Sequence, residues 1–88
     1  MSNGEPRKDP DREANELLGA AVADLRRRAG LTQGELAERV QLQEQEVAAL
    51  EVGELEPTWG DLRRIAYGVE VPLEKLLALA DDPEKGRG

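Results

Sequence analysis

The chain contains no cysteine and no histidine. Without cysteine there are no disulfides and no thiolate metal sites, which fits a reducing cytoplasm. Without histidine, the commonest general base and metal ligand is missing. No stretch approaches the ~20 consecutive apolar residues of a membrane span, and the polar, proline-containing N-terminus has no signal-peptide core. Neither a Gly-rich phosphate loop nor a metal-ligand spacing is present. Carboxylates are abundant, and Asp81, Asp82 and Glu84 cluster near the C-terminus, but acid–base pairs need burial and a pocket. The expectation is a cytoplasmic protein that is not an enzyme and carries no cofactor.

Positive charge is scarce in one particular stretch. From residue 40 to 62 there are six acids and no Lys or Arg. The net charge is −7; residues 1–40 hold seven bases against eight acids, and residues 41–88 hold five against eleven. Nearly all the excess negative charge therefore lies in the second half. Such a balance is unfavourable for nucleic-acid binding, where a basic face supplies most of the affinity. Its plainer effect is solubility.

With 88 residues there is room for one small domain. The polar ends, residues 1–12 and 81–88, offer nothing to bury and are expected to be flexible tails around a domain at 13–80. Five helical signals lie between them. In NELLGAAVADLRRRAG, Leu17, Leu18, Ala21, Val22 and Leu25 form one apolar stripe, and Gly30 is placed to end the helix after Arg26, Arg27 and Arg28. The start is open between Asn15 as a cap and an earlier beginning at Asp9-Pro10. In LTQGELAERV, Thr32 and Glu35 fit a capping box, with Leu31 and Leu36 as its hydrophobic staple. LQEQEVAALEVG repeats that grammar with Gln43, Glu46, Leu42 and Val47, although Gln is a poorer cap than Ser or Thr. Thr58 and Asp61 begin a fourth helix that turns Leu62, Ile65 and Ala66 inward, and Pro72 opens a fifth with Leu73, Leu76 and Leu77 on one face. No segment alternates with period two. The expected fold is all-α.

LRRRAGLTQGELAERV, followed by VAALEVGELEP, LRRIA and VPLEKLL, resembles the phage-repressor (Cro-like, or Xre-type) helix-turn-helix family over about Leu17 to Leu79. The resemblance implies a five-helix repressor-like domain in which the helix after Gln43 reads DNA. It places Gln33 at a backbone phosphate or beside the base reader. Gln43, Glu44 and Gln45 take the leading positions of the recognition helix; Gln45 can bond adenine and Glu44 can accept from cytosine. Ala48 and Ala49 are left to touch thymine methyls. Arg26, Arg27, Arg28 and Arg39, with Arg63 and Arg64, are the flanking cations available to phosphates. Gln41 stands where the family's turn has Gly, so it must accept a positive φ or the turn must differ.

Each of these assignments has an alternative. Glu44 and Glu46 in a first turn complement the helix dipole by ~0.3–1 kcal/mol whatever else they do. Arg26–Arg28 can be a solvated last turn, and Glu51 belongs to the family's structural pattern. Trp59 either packs over the Gly53–Pro57 loop or marks a partner surface. Two functional classes follow. One is a DNA-binding transcriptional regulator, dimeric on a two-fold site. The other is the same fold used as an acidic module, with Glu46, Glu54, Glu56 and Trp59 docking a basic partner such as a transcription-machinery subunit or a toxin.

Overall fold

The computed structural model describes residues 10–81, which form five helices: α1 (Pro10–Arg28), α2 (Gln33–Val40), α3 (Glu44–Glu51), α4 (Trp59–Gly68) and α5 (Leu73–Asp81). The five expected elements are all present, and the described residues contain no strand. α1 takes the earlier of its two possible starts. The expected tail segments lie outside the described residues except for 10–12 and 81, which continue α1 and α5.

The helices begin and end as local chemistry requires. Thr32 Oγ1 accepts from Glu35 N–H at 3.0 Å while Glu35 accepts from Thr32 N–H at 2.8 Å; Thr58 and Asp61 form the same reciprocal pair. The start of α3 is made only in part. Glu46 accepts from Gln43 N–H at 2.8 Å, but Glu46 N–H goes to the Gln43 carbonyl, not to its side chain.

Four helices finish on one device, a residue in the left-handed region whose successor bonds back five positions. Gly30 (φ 75°), Gln41 (φ 61°), Gly53 (φ 85°) and Glu70 (φ 64°) hold these places. Leu31, Leu42, Glu54 and Val71 donate to Arg26, Ala37, Ala49 and Ala66 respectively, at 2.9–3.1 Å. Gln41 thus accepts the positive φ. A side chain in this conformation costs about 1–2 kcal/mol, part of which glycine loses again through unfolded-state entropy. Gln41→Gly is accordingly expected to raise stability by about 0.5–1 kcal/mol, and β-branched Gln41→Val to lower it. The check is a shift in the urea midpoint at unchanged slope.

The core is wholly aliphatic. Val22, Leu36, Val40, Val47, Leu50, Ile65 and Leu76 are essentially inaccessible, with Leu25, Ala37, Leu62 and Val69 around them. Leu18, Leu31, Leu42, Leu73 and Leu79 pack on its margin. Leu17 and Leu77, expected inside, are only half-buried. α1 packs on α5 and on α3, while α2 lies between α3 and α4. Only Val47, Leu50 and Glu51 of α3 are buried, so the rest of this helix faces outward or along α2.

Candidate nucleic-acid interface

The left-handed turn at Gln41 redirects the chain after α2, and Leu42 packs on the core margin before α3 begins. Burial of Val47 and Leu50 fixes the rotation of α3 about its axis. Gln43, Glu44 and Gln45 are consequently exposed at its leading end, with Ala48 and Ala49 half-buried one turn on. Glu44 leans along α2: a Cβ built on Gly34 would lie 3.4 Å from Glu44 Oε1. Glu44 also lines an open cleft with Thr32, Glu35, Glu38 and Leu42. Glu46 is occupied in capping its own helix.

The trailing end of α3 is held by a buried charge. Arg26 donates to Glu51 through Nε (2.7 Å) and through its second terminal nitrogen (3.1 Å), a bidentate pair with side-chain exposures of 12 and 5%. The other terminal nitrogen of Arg26 donates to Leu31 O at 2.8 Å, and Gln33 Nε2 donates to Glu51 at 2.8 Å. One carboxylate thus ties the end of α1 and the start of α2 to the end of α3. The guanidinium pKa is raised, first by the hydrogen bond to Glu51 and then by its charge, with burial opposing. Since the folded pKa is the higher one, this contribution is present below the ordinary guanidinium value wherever Glu51 is ionised, and is lost as pH rises through the folded value.

The expected cations fare differently from one another. Arg26 is spent inside the domain, its guanidinium bonded to Glu51 and to Leu31 O. Arg28 lies 3.1 Å from Asp24 on its own helix. The Arg39 guanidinium donates to Gly68 O at 2.8 Å and reaches Glu70 at 3.9 Å. Arg64 donates to Val40 O at 3.1 Å and to Asp61 at 2.6 Å. Among the described residues Arg27 and Arg63 are exposed with no ion pair. Gln33 sits at the first position of α2, one amide hydrogen given to Glu51. Glu54 and Glu56 project from the loop after α3, and Trp59 is 61% exposed, so it does not pack away over that loop.

The buried role of Arg26 has no local signal in the sequence. An arginine run at a helix end looks solvated, and only the facing Glu51, 25 residues away, distinguishes Arg26 from Arg27 and Arg28. Among the described residues there is no cluster of carboxylates suited to a metal, and no helix is long and apolar enough to cross a membrane.

Known proteins point the same way as this geometry. A family model described as a helix-turn-helix domain matches residues 17–79. No curated protein matches the chain in sequence. Two crystal structures of the clp gene regulator ClgR from Corynebacterium glutamicum are similar to it. One has 26% identity and a TM-score of 0.77, covering 90% of this chain and 95% of that one. The other has 25% identity and a TM-score of 0.78, covering 96% and 83%. The restriction-modification controller protein C.AhdI from Aeromonas hydrophila shares the fold, with 23% identity and a TM-score of 0.68 over 69% of this chain and 92% of that one.

Proposed function

The chain belongs to the helix-turn-helix domain family, in the repressor-like form its residues resemble, and from that premise we propose that it is a small sequence-specific DNA-binding transcriptional regulator. The observation that carries this reading is the presentation of α3. Its apolar face is sealed on the core, its far end is anchored through Glu51, and its leading end offers Gln43, Glu44 and Gln45 to solvent. A helix held in this way can enter a major groove end-first. Gln45 then reads adenine through paired donor and acceptor, Ala48 and Ala49 lie against thymine methyls, and Gln33 offers its remaining amide hydrogen to a phosphate. Arg27, which has no ion pair among the described residues, takes the phosphate role that the resemblance gives to the three arginines. A two-fold dimer would place two such helices one helical turn apart on duplex.

The acids make this binding weak in its nonspecific part, because Glu44, Glu54 and Glu56 oppose phosphates instead of releasing their counterions. Discrimination then depends on base contacts more than on charge. Selection from a random duplex pool, followed by anisotropy titrations across a salt series, tests it. Gln45→Ala is expected to lose about 1–3 kcal/mol against the selected sequence only. Arg27→Ala weakens all sequences alike and reduces the salt slope by about one. A pool from which no sequence emerges above background sinks the proposal.

The absence of any base between residues 40 and 62 favours a second reading, in which the fold is an acidic module for a basic protein partner. Glu54, Glu56 and the exposed part of Glu44 would form that surface beside Trp59, with Glu46 serving the helix. Replacing Glu44, Glu54 and Glu56 by Gln separates the two. A regulator gains duplex affinity, whereas a docking module loses its partner.

A further inference from the structure

The chain has one Trp, one Tyr and no Phe, and neither aromatic enters the core. Trp59 is 61% and Tyr67 85% exposed. Both lie on α4, eight positions apart, with Arg63 midway, so the three side chains fall within one narrow stripe about 12 Å long. Arg39, Gln41, Gly60 and Arg64 join Arg63 and Tyr67 around an open hollow of about 550 Å³ beside this stripe. No internal contact explains why a chain this poor in aromatics spends both on solvent.

We infer that the α4 stripe is a docking surface for a short acidic segment of another protein, one carrying a few carboxylates with apolar side chains between them. Trp, Tyr and Arg are the residue types that concentrate binding energy in protein interfaces. Here the rings supply desolvated area and the arginines supply the sign. Among the described residues Arg63 has no carboxylate, Arg39 only a 3.9 Å approach to exposed Glu70, and Arg64 is shared with Asp61. The surface therefore has guanidinium hydrogens left to donate.

The occupant is not a second copy meeting this one across a two-fold axis through the stripe. A parallel pair of α4 helices, or an antiparallel pair centred on the stripe, brings the central Arg63 onto its own counterpart, which opposes association. Nor does the stripe suit a nucleic acid. Its positive charge is short and bounded by Glu56 before Trp59 and Glu70 after Tyr67, whereas a polyanion needs a basic track along its backbone. The stripe itself lies on α4, whereas the leading end of α3 borders the start of α2 through Glu44 and Gly34; the hollow reaches toward α3 only at Gln41. The inference does not depend on the duplex contact proposed above.

Trp59 is the only tryptophan in the chain, so its emission reports the stripe directly. The full chain is titrated with a short synthetic peptide of glutamate and leucine, with the lysine–leucine analogue, and with a short random-sequence duplex. The expected result is a saturable blue shift with the glutamate–leucine peptide alone. Arg63→Glu is expected to weaken it about tenfold and Tyr67→Ala to weaken it as well, while Gln45→Ala leaves it unchanged. Arg63 is exposed and unpaired, so its variant keeps the fold, which circular dichroism verifies. Failure to shift with the glutamate–leucine peptide overturns the inference, as does an equal response to the lysine analogue. A stronger response to the duplex reassigns the stripe to nucleic acid. A shift that follows protein concentration without any peptide reassigns it to self-association.

Discussion

Glu51→Ala is expected to cost about 3–5 kcal/mol, a large part of the roughly 5–10 kcal/mol that holds a domain of this size together. The carboxylate receives three hydrogen bonds, two from Arg26 and one from Gln33. Its removal leaves a guanidinium with 12% side-chain exposure facing a vacancy, and an amide donor without an acceptor. The guanidinium cannot turn to water while Arg26 still holds Leu31 O. Arg26→Ala is expected to cost as much, since it strands Glu51 instead. The loss is read as a lower urea midpoint and is nearly independent of salt, because a pair this buried is poorly screened. The double replacement Arg26→Met with Glu51→Leu removes both charges at once and is expected to recover at least half of the loss. Additive single losses, or a Glu51→Ala variant within about 1 kcal/mol of the parent, would refute the central place given to this network.

The same substitution bears on function. Glu51 is where α3 is fastened to α1 and α2 at once, and the exposed Gln43–Gln45 end depends on that fastening for its direction. Loss of duplex discrimination in the double variant, with stability restored, would separate the orienting role of the network from its structural one. Preserved discrimination would mean that Val47 and Leu50 orient the helix unaided.

The helical layout was legible because its signals are local. Thr32 with Glu35 and Thr58 with Asp61 announce helix starts within four residues, and apolar spacing then gives the inward face. Gln41 is legible as a problem, since its place in the turn demands a positive φ; Glu70 takes the same conformation with no such signal around it. The non-local features were harder to read. That Arg26 turns inward while Arg27 and Arg28 stay outside depends on where α3 crosses α1, and no sequence window contains both. The sequence leaves Trp59 divided between a loop contact and a partner surface, and nothing in it marks Tyr67 as exposed. That both stand outside follows only once the aliphatic residues are seen to fill the core without them.

Gly19→Ala is expected to destabilise the domain by about 3 kcal/mol, against the gain that this change usually brings inside a helix. Gly19 lies in the middle of α1, where glycine costs roughly 1 kcal/mol relative to alanine. A Cβ built there would stand 2.2 Å from Leu50 O, 2.6 Å from Glu51 O and 2.8 Å from the Glu51 carbonyl carbon. All three are backbone atoms at the end of α3, so no side chain can swing aside. The methyl group fits only if α3 backs away from α1, and that withdrawal opens the Arg26–Glu51 contact, since two of the three atoms belong to Glu51 itself. Gly60 in α4 provides the internal control, since its nearest neighbours would be the flexible end of Arg64 at 3.6 Å and Thr58 Oγ1 at 3.8 Å. Gly60→Ala is therefore expected to raise stability by about 0.5–1 kcal/mol. Urea titrations of the two variants should thus move in opposite directions from the parent. If both rise, α1 and α3 do not approach as closely as a bare Cα permits, and the anchoring of α3 through Glu51 loses its geometric basis.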